Sequence, residues 1–306
     1  MTAPHADDAT TGGVDAYTAA QAAQDAAVGH RSRDFKVWRG ADGVGEFRSY
    51  TTETDDGMVV LDAIHQIQAA QANDLAVRWN CKAGKCGSCS AEINGKPKLM
   101  CMTRLDELPA GEPVTVEPMR AFPHVRDLVT DVSWNFRVSS KIPPLQPKPE
   151  AAGKPFNLQQ IDVDRIQEFR KCIECYLCQD VCHVLRDHER FDGFFGPRQM
   201  VKLASLEMHP MDNLNRREQL KGEAGVGFCN ITKCCTEVCP EHIHITDNAI
   251  IPLKERVVDD YFDPVAGILR GIGIIRRPKK QPMSAVKNDL TTVHTPESRE
   301  QSVGRK

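Results

Sequence analysis

Cys172-Ile-Glu-Cys175-Tyr-Leu-Cys178-Gln-Asp-Val-Cys182 and, further along, Cys229-Asn-Ile-Thr232-Lys-Cys234-Cys235-Thr-Glu-Val-Cys239-Pro240 are two versions of one pattern. The first is a full C-x2-C-x2-C-x3-C run, in which the fourth cysteine ligates the other cluster of a two-cluster iron–sulfur protein. The second departs once, with Thr232 where its second cysteine would stand. Crossing the fourth ligands over gives Cys172, Cys175, Cys178 and Cys239 as four thiolates for a [4Fe-4S] cubane. Cys182, Cys229 and Cys235 remain as three, which suits a [3Fe-4S] centre with one iron corner absent.

Other uses of these cysteines stay open. Zinc also takes C-x2-C pairs, but a four-thiolate zinc site needs only two of them, and two overlapping runs ending in Cys-Pro fit iron–sulfur better. Disulfides fit poorly, because such spacings in a chain that opens without a secretory signal point to metal. Cys234 is left over. Neighbouring helical residues point in different directions, so Cys234 and Cys235 are not expected to reach one cluster together; Cys234 is read as a buried free thiol, with a swinging fourth ligand as the alternative.

A third cysteine group precedes both runs: Cys81-Lys-Ala-Gly-Lys-Cys86-Gly-Ser-Cys89, then Cys101. C-x4-C-x2-C…C is the spacing of a plant-type [2Fe-2S] site, with a zinc ribbon as the rival. Gly84 and Gly87 let the loop wrap closely and turn its amides towards sulfur. With these assignments, all but Cys234 of the 12 cysteines are cluster ligands.

With 306 residues the chain is long enough for about two domains. A formal net charge of -3 gives no support for nucleic acid as a partner. No apolar stretch approaches the roughly 18 residues of a membrane-spanning helix, so membrane contact is expected to be peripheral or through partners.

Residues 1–32 are rich in Ala, Asp, Gln and Thr and are expected to be a disordered extension; Asp7, Asp8, Asp15 and Asp25 oppose a cleaved targeting peptide. Residues 33–140 begin strand–turn–strand–helix: Phe35 to Trp38, Gly40 to Gly45, Phe47 to Tyr50, then Leu61, Ile64 and Ile67 at helical spacing between Met58 and Ala72. That order starts a β-grasp sheet, which Val114-Thr-Val116 would close. Residues 122–140 are read as a helix-rich connector with Val125, Leu128, Val132 and Phe136 on one face. The proline-rich stretch within 141–156 is read as a stiff spacer. Residues 157–265 form a mostly helical unit holding both later runs, with one helix from Gly196-Pro197 to Leu206 and another from Ile245 to Tyr261, interrupted near Pro252. Residues 266–306 are a basic, partly disordered tail in which Ile268, Leu269, Ile274 and Ile275 lie among Arg270, Arg276, Arg277, Lys279 and Lys280, a composition suited to an anionic membrane surface or a partner subunit. The expected class is α+β: a β-grasp plant-type [2Fe-2S] ferredoxin domain followed by an all-α helical ferredoxin domain.

From about Phe35 to Pro264 this order of motifs resembles the iron–sulfur subunit of succinate dehydrogenase and fumarate reductase. The wording of the second run, Asn230-Ile-Thr-Lys-Cys-Cys-Thr-Glu-Val, looks like the actinobacterial branch. The resemblance implies a subunit of a membrane-bound succinate:quinone oxidoreductase of the tricarboxylic acid cycle and respiratory chain. It implies an FAD-containing flavoprotein partner that carries the dicarboxylate site, membrane-anchor subunits, a quinone (menaquinone), and a peripheral place on the cytoplasmic face of the plasma membrane. No catalytic residue is then expected in this chain. It departs from the family where His183 follows Cys182 in place of proline, where Arg186-Asp187 replaces a tryptophan pair, and where Asn230 replaces a histidine. His183, Arg186, Asp187, Asn230 and Thr232 are accordingly candidate neighbours of the quinone site, the histidine by virtue of its titration near neutrality. Rival functions are a free-standing ferredoxin-like carrier, a chain serving a different flavoprotein such as a heterodisulfide- or glycerol-phosphate-type oxidoreductase, and a structural zinc protein.

Overall fold

The computed structural model describes residues 31–149, 157–275 and 280–283. The first 30 residues and those beyond 283, including most of the basic tail, lie outside them. Two long strands, β1 (Arg31–Ala41) and β2 (Val44–Thr54), pair antiparallel along their whole length. Their turn is Asp42-Gly43, both with positive φ, the Asp-Gly combination that matches the strands' twist. β1 thus starts at Arg31, two residues before the expected domain edge. Helix α1 (Val60–Ala70) turns Leu61, Ile64 and Ile67 into the core.

Strands β3 (Ser90–Ile93) and β4 (Lys96–Leu99) form a hairpin, and β5 (Val114–Glu117) lies between β3 and β1, parallel to β1 with Phe35 opposite Val114. β5 is therefore an interior strand. Its Val114 and Val116 are wholly buried with Phe35, Val37 and Ile93.

Residues 122–130 differ from the expected helix. They form two short strands, β6 (His124–Arg126) and β7 (Val129–Thr130), and only α2 (Ser133–Ser140) is helical. Asp127 decides this. Its φ is 48°, and its buried carboxylate accepts from Arg39 Nε and Gly40 N at 3.0 Å and from Ala76 N at 2.8 Å. Three donors from elsewhere in the chain outbid a weak local helical pattern, and Val125 and Phe136 end up exposed while Leu128 is buried.

The second unit packs short helices: α3 (Gln160–Gln167), α4 (Leu177–Asp180), α5 (His183–Arg186), α6 (Gly196–Glu207), α7 (Arg217–Lys221), α8 (Cys234–Glu237), a π-helical turn (Ile245–Ile250), α9 (Ile251–Tyr261) and α10 (Pro264–Gly271). Pro252 sits in the first turn of α9, where a missing N–H costs nothing, so the interruption falls before it as a wider turn. α10 is capped by Asp263, which accepts from Val265 N and Ala266 N.

The proline-rich stretch is no free spacer over its described part. Ile142 is in the second core, Pro147 bridges to Asp212, and Gln146 N donates to Asp212 Oδ1 at 3.0 Å. Prolines have carbonyls but no N–H, and Arg216 exploits that by donating to Pro143 O at 2.8 Å and Pro144 O at 3.0 Å. The segment is a strap on the helical unit.

Candidate functional site: three groups of cysteines

The first loop runs from Cys81 to Cys89 and is closed by Cys101 behind β4. Its amides point at sulfur: Lys85 N and Ala83 N to Cys81 Sγ at 3.3 and 3.4 Å, and Gly84 N to Cys101 Sγ at 3.3 Å. Gly84 and Gly87 have φ of 65° and 68°, a conformation that side chains with a Cβ resist. At Gly87 a Cβ would also meet the Cα of Cys175 at 2.6 Å. The first loop is therefore pressed directly on the first cysteine run of the helical unit.

Burial raises the Cys86 thiol, but hydrogen bonds with Ser88 and Cys81 outweigh it and bring it down to about 6. Burial first, with the neighbouring Cys101 and Cys86 adding to it, pushes its neighbour Cys89 up to about 12. In the metal-free chain, alkylation of Cys86 by iodoacetamide should rise with a midpoint near pH 6, while Cys89 stays unmodified up to about pH 9. Peptide mass spectrometry across pH checks this; a Cys86 midpoint above about pH 8 would show that those hydrogen bonds do not form.

In the helical unit, Cys172, Cys175, Cys178 and Cys239 line one cavity, together with Ile173, Val201, Ile243 and Ile245. Cys239 Sγ accepts from Ile243 N at 3.4 Å. Tyr176, with φ of 62°, and Glu174, with φ of 58°, supply the tight bends that turn successive cysteines inward. Cys182, Cys229 and Cys235 are neighbours: each thiol is raised first by burial, Cys182 to about 11 and Cys235 to about 12, and Cys235 is raised further by the charges of Cys234, Cys229 and Cys182. Cys178 lies between the two, since the charges of Cys175, Cys172, Cys235 and Cys239 all act on it.

Thiols so deeply buried resist ionisation, whereas a coordinating thiol is deprotonated outright. The cavity supplies a further sign. Arg198, on α6, lines it; one guanidinium N–H pairs with Glu174, while Arg198 Nε is buried and has no hydrogen-bond partner among the described residues. A buried cation with a spare donor beside four thiols fits a cluster that carries negative charge. Neither Arg198 nor its role shows in cysteine spacing; only the fold brings α6 to the site.

Cys234 is not buried as expected. It opens α8 after Lys233, whose φ is 64°, and lies half-buried with its Sγ 3.3 Å from Thr232 Oγ1. Its charge acts on Cys182, Cys229 and Cys235, so it shares their neighbourhood.

Of the candidate quinone neighbours, His183 is half-buried and sits 6.1 Å from the exposed His188, ring to ring, while Asp187, Asn230 and Thr232 are exposed near Cys182 and Cys229. The Arg186 guanidinium reaches into the junction of the two units and pairs with Glu92 on β3 at 3.1 and 3.2 Å. Glu92 is wholly buried and also meets Arg120 at 3.0 Å. Beside it, burial and the Glu92 charge hold the Asp180 carboxyl well above its usual range, although Asp180 Oδ1 accepts from Ala121 N at 3.0 Å. Ser90 Oγ to Cys175 O, at 2.8 Å, ties the same junction. Residues from 85 to 94 positions away in sequence meet here, which no local pattern announces.

Residues 34–137 match the family model of the 2Fe-2S iron-sulfur cluster binding domain, and residues 168–243 match the 4Fe-4S dicluster domain. The chain is 32% identical over 206 residues to the fumarate reductase iron-sulfur subunit of Mycobacterium tuberculosis, spanning 64% of this chain and 80% of that one. To the succinate dehydrogenase iron-sulfur subunit of Bacillus subtilis it is 30% identical over 200 residues, 61% of this chain and 77% of the relative. Among solved structures, a chain of the Mycobacterium smegmatis Sdh1 complex in the apo form superposes with a TM-score of 0.75 at 59% identity, covering 77% of this chain and 99% of that one.

Proposed function

Because this chain belongs to the iron–sulfur subunits of succinate dehydrogenase and fumarate reductase, we propose that it conducts electrons between the FAD of a flavoprotein partner and a quinone, menaquinone, at a membrane anchor. In this reading Cys81, Cys86, Cys89 and Cys101 hold [2Fe-2S]; Cys172, Cys175, Cys178 and Cys239 hold [4Fe-4S]; Cys182, Cys229 and Cys235 hold [3Fe-4S]. When bound, these clusters supply one-electron redox steps over short gaps, with potentials set by ligand count, burial and hydrogen bonds to sulfur.

The observation that carries this proposal is that the three cysteine groups adjoin one another. Gly87, beside Cys86, packs on the backbone of Cys175, and Cys178 of the same run lies under the charge of Cys235. The residues between them serve to fix spacing and keep water out. Ser90, Glu92 and Arg186 clamp the two units, and Leu177 and Tyr176 of the helical unit are buried in the core of the first. The amides of residues 83–85 and the Arg198 guanidinium stabilise negative charge at their sites.

The two outer groups have exposed apolar surface suited to partners. Trp79 and Met102 are exposed near the first loop, the end proposed to meet the flavoprotein. Among the described residues no helix is long and apolar enough to cross a membrane. Phe228 and Ile231, flanking Cys229, are exposed, as are Val265, Ile268 and Ile272 along and just beyond α10, and these support docking on an anchor at the cytoplasmic face of the plasma membrane.

Reconstitution with the flavoprotein and anchor is the decisive experiment: succinate should reduce a menaquinone analogue, and the anaerobically purified chain should carry about nine irons, two plus four plus three. Cys235→Ser should abolish both the [3Fe-4S] resonance and quinone reduction. A colourless, zinc-loaded chain would overturn the proposal.

A further inference from the structure

We infer that Thr246 is a dedicated hydrogen-bond donor to the Cys235 sulfur and sets the reduction potential of the centre held by Cys182, Cys229 and Cys235, an inference that rests on the function proposed above. Thr246 lies in the π-helical turn that packs between α6 and α8, and it is 1% exposed. Its Oγ1 is 3.5 Å from Cys235 Sγ.

The direction of this bond follows from its neighbours. Thr246 N donates to Thr236 Oγ1 at 3.1 Å, and Thr236 Oγ1 in turn donates to Thr246 Oγ1 at 3.2 Å. A hydroxyl carries one proton. Thr236 has used its own on Thr246, so the Thr246 oxygen is already an acceptor and its proton is left for the sulfur. A metal-bound cysteine is a thiolate and has no proton to return. The result is a closed relay, backbone N–H to Thr236 to Thr246 to sulfur, anchored at both ends by secondary structure.

Two features mark this as a built device. α8 and the π-helical turn each contribute one threonine, so the geometry depends on how they pack and is not an accident of one helix. The turn's extra residue per coil also shifts Thr246 relative to an ordinary helical path leading into α9. A donor aimed at a ligand sulfur stabilises the more negative, reduced state and therefore raises the potential. That suits the last centre before the quinone, where electrons moving outward need the most favourable acceptor.

The test is a redox titration of the complete, cluster-loaded chain monitored by electron paramagnetic resonance. Thr246→Val keeps the branched shape and removes the donor; the midpoint of the [3Fe-4S] centre should fall by about 59 mV, a tenfold change in the one-electron equilibrium. The [4Fe-4S] and [2Fe-2S] midpoints should stay in place, and Thr246→Ser should restore the wild-type value. An unchanged midpoint in Thr246→Val, or no recovery in Thr246→Ser, would overturn the inference. If Thr246→Val fails to retain iron, the wild-type chain still decides: proton double resonance at the oxidised centre should reveal a coupled proton that exchanges with D2O faster than the buried amides, and its absence counts against Thr246. Wild type lacking the [3Fe-4S] resonance altogether would instead refute the proposed function.

Discussion

Arg216→Ala should cost the helical unit about 3–5 kcal/mol and release the strap from it, the range found when one partner of a buried ion pair is removed. Arg216 and Asp212 are both wholly buried. The pair is bidentate, with Arg216 Nε 2.7 Å from Asp212 Oδ2 and Nη2 3.2 Å from Oδ1. Two further donors take Pro143 O and Pro144 O. Without Arg216 a carboxylate stays buried with only Gln146 N donating to it among the described residues, and the carbonyls of Pro143 and Pro144 lose their donor. Arg216→Lys keeps the charge but not the planar fork, so it should recover only part of the loss. An added Asp212→Leu should also recover part, because replacing both charges removes the orphaned one. Urea unfolding of the anaerobic, cluster-loaded chain measures this; a loss under about 1 kcal/mol would mean that the pair contributes no more than a surface contact.

Local chemistry in this molecule is legible from residues and long-range chemistry is not. Asp42-Gly43 between alternating strands specifies a hairpin turn by backbone conformation alone, and β1 and β2 follow from it. Leu61, Ile64 and Ile67 specify α1 by spacing. The cysteine runs are equally local, because one cluster spans a few residues of chain and its ligands must recur at fixed intervals. Residues 122–130 form strands although their apolar spacing is helical in form, because the Asp127 carboxylate finds three donors elsewhere in the folded chain. The attachment of the proline-rich strap is hidden for the same reason: its prolines read as a stiff spacer, and Arg216, which holds Pro144, lies 72 residues away.

The candidate site divides along the same line. Which cysteines gather follows from spacing; what surrounds them does not. Arg186 reads as a candidate neighbour of the quinone site, and nothing in its local sequence announces Glu92, wholly buried on β3, with which it pairs in the junction. Arg198 and the Thr236–Thr246 relay carry no sequence signature because their meaning lies in where α6, α8 and the π-helical turn meet. The positions read as departures from the family pattern, His183, Asp187 and Asn230, are all exposed or half-exposed.

Thr232→Cys should convert the three-iron centre into a four-iron one, if Cys182, Cys229 and Cys235 are its ligands as proposed. Thr232 occupies the second-cysteine position of the run, and a neutral hydroxyl binds cluster iron far more weakly than a thiolate does, so the proposed centre would lack a fourth iron. A thiol there completes four ligands. Iron content should rise by about one per chain, the [3Fe-4S] resonance of the oxidised protein should disappear, and a signal from a reduced four-iron centre should replace it. The added thiolate brings negative charge, so the centre's potential should drop and succinate-driven quinone reduction with it. Cys234 makes the test sharper, because its sulfur is 3.3 Å from the Thr232 hydroxyl and lies among the same three cysteines. Cys234→Ser by itself should leave the three-iron resonance intact, since three ligands remain. In the Thr232→Cys, Cys234→Ser double variant the conversion should still occur, which assigns the new ligand to position 232. A three-iron resonance undiminished in Thr232→Cys would place the vacant corner elsewhere and remove the basis for dividing these sulfurs four and three.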